Sequence, residues 1–181
     1  MTISLKTKSE MKKPAIDLTK SPNGWWDLAP AWDTIYEIGQ RRHIQKDDFK
    51  STRAWHIKSH IIGIVGEFVV SLESGKEFDS ELRLFGDGGR DFEINNEKAD
   101  IKCATFIKDP DLKHPANEHR WPNYFVLVAF NEPNKKARLM GWTTGDLLKI
   151  ADIRDYGYGP QRIMNWRKLK DGLPPIFGEI K

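Results

Sequence analysis

The sequence predicts a single α/β domain, a mixed central sheet flanked by helices on both faces, with an extra helical segment at its N-terminal side. Three observations carry that expectation. A long helical pattern over 52–75 stops at Gly75, short strand-like runs separated by turn residues follow from 81 to 142, and a further helix start comes after them. Both patterns share one chain of 181 residues, 39% of them hydrophobic, a size that suits one domain with one core.

Taken in order, residues 1–23 are Lys-rich and nearly free of large apolar side chains. Such a segment cannot bury enough surface to offset its ordering entropy, so a flexible basic arm is expected, with the domain spanning 24–181. Two readings of the arm stay open: a tail without a role, or a strap along nucleic acid through Lys6, Lys8, Lys12 and Lys13. Trp25, Trp26 and Trp32 then flank Pro30, which suits a first helical position, and Ile35, Tyr36 and Ile38 continue a helix towards Arg41-Arg42-His43. Aromatics clustered this way usually dock a helix on a core; base stacking is the alternative.

The second helix should start at Ser51 or Thr52. At about 100° per residue, Ile57, Ile61, Ile64, Val65, Phe68 and Leu72 share one face, while His56, His60, Gly63 and Glu67 share another, so Glu67 leaves the core stripe. Gly63 and Gly66 each weaken a helix by roughly 1 kcal/mol relative to Ala. A strand crossing close to the backbone is the simplest reason for them.

Strand-like runs follow at 81–85, 91–94, 98–106, 124–130 and 138–142. Gly86-Asp87-Gly88-Gly89 and Asn95-Asn96 supply turns, and the Pro- and His-bearing stretch 108–123 reads as a long loop. Thr143, with Asp146 three residues on, resembles a capping box and should start a helix through Leu147, Leu148 and Ile150. The Pro-rich end from Leu173 should wrap the surface.

Charge and cysteine content bound the function. Lys and Arg outnumber Asp and Glu by 29 to 26, giving +3 and a pI near 8.9, which permits an acidic partner without demanding one. Cys103 is the single cysteine, so an intramolecular disulfide and a Cys-based zinc cage are both excluded. A reduced, cytoplasmic setting is expected. No apolar run reaches the roughly 18–20 residues of a membrane span, and 1–20 lacks the apolar stretch of a signal peptide, so no membrane partner is expected. A homodimer stands open.

The chemistry concentrates in 86–102. If Asn95-Asn96 are the central residues of a tight turn, Ile94 faces Glu97 and Asp91 faces Asp100. Alternation then puts Lys102 on the face of Asp100, with Phe92, Ala99 and Ile101 on the apolar face. Carboxylates directly opposite repel, and a divalent cation between them is the natural remedy.

Asp91, Asp100 and Lys102 in this layout resemble the PD-(D/E)xK, or restriction-endonuclease-like, nuclease superfamily. Arg90-Asp91 stands for the first half of the motif and Asp100-Ile101-Lys102 for the second, while Gly66-Glu67 looks like the additional helix-borne acid of many members. Arg90 replaces the proline and both later acids are Asp, changes that spare the carboxylates and the amine. The likeness spans roughly 52–142 in element order. It implies a restriction-endonuclease-like fold and a Mg²⁺-dependent nuclease, most simply an endonuclease on DNA, with Mn²⁺ able to substitute. Glu67, Asp91 and Asp100 would be the metal ligands, and Lys102 would hold the attacking water or neutralise charge on the phosphate. The alternatives are a nucleic-acid-binding or interaction module with an idle site, and an RNA-directed nuclease.

Other candidates carry less. His56 and His60 sit four apart as metal ligands can, but Ile57 stands where a zincin has Glu. His114 and His119, with Lys113 and Arg120, could touch a phosphate backbone or belong to an ordinary polar loop. Gly86-Asp87-Gly88-Gly89 lacks nucleotide-binding spacing, and Cys103 falls on the apolar face as a core thiol. Arg41-Arg42, Lys135-Lys136 and Arg167-Lys168 are further basic pairs that DNA could use.

Overall fold

The computed structural model describes residues 2–3, 16–47, 56–76, 91–105, 108–119 and 121–178. Lys6, Lys8, Lys12 and Lys13, the start expected at Ser51 or Thr52, the strand expected at 81–85, Gly86 to Arg90, and Arg120 lie outside them.

In chain order, β1 (Thr2–Ile3) pairs antiparallel with β2 (Ile16–Asp17), and β3 (Trp26–Asp27) leads through a short 3-10 turn into α1 (Trp32–Asp47). Next come α2 (His56–Ser74), β4 (Phe92–Ile94), β5 (Glu97–Ala104), β6 (Asp111–Pro115), β7 (Tyr124–Asn131), β8 (Lys136–Thr144), α3 (Gly145–Lys149), β9 (Asp152–Asp155) and β10 (Pro160–Asn165). A five-stranded mixed sheet has the order β3-β8-β7-β5-β4. Among the described strands only the β5–β7 pairing is parallel, and β6, β10 and β9 form a separate antiparallel sheet.

The central place of β7 follows from its sequence, since Phe125 to Phe130 are all apolar and all buried, as befits a strand covered on both faces. Val126, Val128 and Phe130 join Ala99 and Ile101 in the larger core under α1 and α2. Phe125 and Leu127 turn the other way, to Leu112 and Leu148. The sheet is therefore two-faced, with α1 and α2 on one side and, among the described residues, the β6-β10-β9 sheet and the short α3 on the other. The long loop expected over 108–123 is corrected here, because 111–115 pairs with β10 instead of looping.

Helix α2 is buried nearly all round between Ile64 and Leu72, with Val69 and Val70 as enclosed as Val65. Its separable polar stripe does not persist there, and Glu67 is itself buried, at 9% exposure. Gly66 is the point of closest approach: a Cβ there would lie 3.0 Å from Ile101 Cγ2 and 3.2 Å from Cys103 Cβ, whereas one on Gly63 would meet nothing within 4 Å. The strand crossing explains one glycine and not the other.

Both ends of the described chain dock where the sequence suggested loose surface. Leu18 is buried at 2% exposure, and Thr19 accepts from the Asp27 N–H, so the arm expected to run to Asn23 is folded in before that point. Near the other end, Ile176 and Phe177 are buried, with the Phe177 ring edge-on to Phe92 at 5.3 Å. The tryptophans pack: Trp26 donates from Nε1 to Glu73 at 2.8 Å, and Trp32 stacks on Phe130 at 5.7 Å. The cap of α3 is Thr144, which accepts from the Leu147 N–H, while Thr143 is a buried strand residue. No described helix is long and apolar enough to cross a membrane.

Candidate active site

Two asparagines build the site's frame. Asn95 and Asn96 take φ of 52° and 66°, the left-handed pair that closes a two-residue hairpin with the twist the strands need. The resulting register pairs Ile94 with Glu97, Glu93 with Lys98 and Phe92 with Ala99. Asp91 stands at the mouth of this hairpin, its N–H bonded to the Ala99 carbonyl at 3.0 Å. Its carboxylate turns onto β5 and accepts the Ile101 N–H at 2.5 Å. A side chain thus continues the ladder where the edge strand ends, which holds the Asp91 carboxyl against β5.

Alternation along β5 sorts the next residues. Ile101 and Cys103 meet α2 at Gly66, so Asp100 and Lys102 project from the opposite face, towards the second sheet. Asp100 is 5% exposed, and its Oδ2 takes the Lys102 Nζ at 2.7 Å. Repulsion between Asp91 and Asp100 was the reason to expect a cation between them. The fold answers part of that need with its own donors, the Ile101 amide for one carboxylate and the Lys102 ammonium for the other.

The second sheet adds a residue that the sequence placed in a loop. His114 on β6 is 5% exposed, with its ring 4.7 Å from Trp121 and 4.8 Å from Phe125. Its Nδ1 lies 3.9 Å from Asp100 Oδ2, beyond hydrogen-bonding reach, and neither ring nitrogen has a hydrogen-bond partner among the described residues. Burial, and then the Lys102 ammonium, push its pKa down to about 4, against a smaller opposing pull from Glu118. His114 is neutral at pH 7 and cannot be the exposed phosphate contact that a loop would make it. The alternation of Leu112 and His114 with Asp111 and Lys113 was the signal for a half-buried strand.

Asp91, Asp100 and Lys102 come together at the hairpin, with His114 beside them. Glu67 belongs to α2, the helix that packs against the Ile101 and Cys103 face of β5. Among the described residues, no three His, Cys, Asp or Glu side chains are grouped to hold a metal ion. Glu67, Asp91 and Asp100 as a joint ligand set is what the resemblance implies. Cys103 packs on the core, where burial pushes its thiol well above the ordinary range and keeps it protonated.

The basic pairs are partly committed elsewhere. Arg41 is ion-paired with Glu37, Arg167 with Asp109 at 2.6 Å, and the Lys135 Nζ sits 3.9 Å over the Trp32 ring. The two ion pairs offset positive charge, whereas Lys135 keeps its own over the ring. Comparison with family models, with curated proteins and with solved structures returns no match.

Proposed function

We propose that the chain is a Mg²⁺-dependent nuclease that hydrolyses DNA phosphodiester bonds, as an endonuclease, at the β4–β5 hairpin. One observation carries the reading: the Asn95-Asn96 turn sets Asp91 against the strand that presents Asp100 and Lys102 on a common face. The order of α2, the hairpin and the parallel β7 supports it, being the order in which the resemblance runs.

The donor set suits a hard cation. Mg²⁺ is usually held by one or two carboxylates, with water and substrate phosphate completing its shell, and Asp91 and Asp100 are those two carboxylates. Glu67 would complete the shell directly or through water. Asp91 and Asp100 would hold such an ion, whose chemistry there would be to make a bound water easier to deprotonate and to offset charge on the phosphate. Asp91 is oriented by the Ile101 amide. Lys102, the more exposed partner of the Asp100 pair, turns its ammonium to the phosphate, where fixed positive charge stabilises the transition state.

The test is to incubate the protein with supercoiled, linear, single-stranded and branched DNA and with RNA, in Mg²⁺, Mn²⁺ or EDTA. Metal-dependent DNA cleavage is expected, lost in EDTA and reduced on the order of 100-fold or more by Lys102→Ala, with Lys98→Ala far milder. Cleavage of RNA alone would reassign the substrate. Inactivity on every substrate would reject the nuclease reading in favour of a nucleic-acid-binding module with an idle site.

A further inference from the structure

A single exposed apolar side chain is ordinary, but a cluster marks a surface that another molecule covers. Among the described residues six large hydrophobic side chains stand in solvent, and five of them fall within 147–158: Leu147, Ile150, Ile153, Tyr156 and Tyr158. Ile150 comes just before β9 and Ile153 lies within it, and they are 79% and 52% exposed. All four residues of β9 are exposed. The strand ends the order β6-β10-β9, so among the described residues no strand pairs with its outer edge. Beyond it a turn is already set: one Asp155 carboxylate oxygen accepts the Gly157 and Gly159 N–H groups at 2.8 and 3.2 Å, and Tyr156 stacks on Tyr158 at 6.1 Å.

An open edge accepts a further strand through its N–H and C=O groups. The sequence of β9, Asp152-Ile153-Arg154-Asp155, selects which strand. In antiparallel pairing, residues directly opposite share a face, where opposite charges stabilise and like charges repel. Laid against a second copy with Ile153 facing Ile153, each Asp152 faces an Arg154. Continued outward, the same register brings the exposed Ile150 of each copy level with Tyr156 of the other. Moved one step, it either sets Asp152 against Asp155 or leaves Arg154 facing Ala151. The strand is therefore complementary to itself in one register.

We propose that the outer edge of β9 is the docking surface for a second copy of this chain, paired antiparallel about a two-fold axis at Ile153. The contact is isologous, each copy giving its Ile150 end to the tyrosine end of the other. It joins two three-stranded sheets into one of six strands. Four paired residues on each side make a small interface, so the dimer forms reversibly and grows with concentration. None of these residues belongs to the β4–β5 hairpin, so the surface stands whether or not the chain is a nuclease.

Sedimentation velocity of the full chain across the micromolar range should show the 20.9 kDa species giving way to one of twice that mass. Ile153→Asp places two carboxylates on the axis and should raise the dissociation constant roughly 10-fold or more. Asp152→Arg, which sets cations opposite each other, should do the same. Asp152→Arg combined with Arg154→Asp restores opposite charges and should return the wild-type value. Thermal melts verify that these exposed-site variants keep the wild-type fold. The register is read by mild oxidation. Ile153→Cys should cross-link, because facing Cα atoms about 4.5–5.5 Å apart are within disulfide reach. Asp152→Cys, two residues out of step with its copy, should not, and Cys103 is packed on the core. A chain that stays monomeric throughout, a dimer indifferent to Ile153→Asp, or no rescue by the double reversal would each overturn the proposal. So would a mass change seen only on adding DNA, which would give the patch to nucleic acid.

Discussion

Replacing His114 by Phe should remove much of the protein's sensitivity to mild acid. The ring is 5% exposed and has no hydrogen-bond partner among the described residues, and burial followed by the Lys102 charge brings its pKa to about 4 from 6.5. The unfolded chain therefore binds a proton on this residue more readily than the native state does. With a depressed folded pKa, the stability that depends on neutral His114 is complete above about pH 6.5, is lost as pH falls towards about 4, and levels off below that. The full loss is about 3 kcal/mol, of which about 2 kcal/mol is reached by about pH 5. For a chain of this size each kcal/mol moves the melting temperature by about 2–4 °C. Between about pH 7 and pH 5, wild type should thus lose about 4–8 °C more than His114→Phe, and comparing the two cancels the common titration of carboxylates. Circular-dichroism melts at half-unit pH steps measure this directly. Parallel curves for the two proteins would mean that Asp100, 3.9 Å away, accepts the imidazolium as an ion pair, and the account of a neutral buried histidine would fail.

Three further outcomes follow from packing and hydrogen bonds. Asp91→Ala leaves the Ile101 N–H without the carboxylate that now accepts it at 2.5 Å and should cost about 1–3 kcal/mol. Asp91→Asn keeps an acceptor and should cost less, so equal losses in urea denaturation would contradict the ladder role. Gly66→Ala forces a Cβ to 3.0 Å from Ile101 Cγ2 and should destabilise by about 1–3 kcal/mol. Gly63→Ala meets nothing within 4 Å and should stabilise by up to about 1 kcal/mol; the reverse order in thermal melts would refute the helix–strand docking. Leu18→Ala, at a site 2% exposed, should cost about 2–5 kcal/mol, and a silent substitution would return residues up to Asn23 to a loose arm.

What the sequence determined by itself is local. The Asn95-Asn96 turn, the register from Ile94–Glu97 to Phe92–Ala99, the shared face of Asp100 and Lys102, and the apolar course of β7 all depend on neighbours within one hairpin or one strand. There, periodicity and turn chemistry leave few choices. Tertiary structure decided what needs distant partners. The stretch 111–115 becomes a strand because β10 pairs with it, and Asn165 and Asp111 bond across a separation of 54 residues. That pairing buries His114 beside Asp100, where a loop would have left it in solvent. The place of Glu67 is tertiary for another reason. A helix buried nearly all round has no polar face to announce itself, so the side on which α2 meets β5 follows from Gly66 packing on Ile101 and Cys103, a contact that helical spacing alone does not encode.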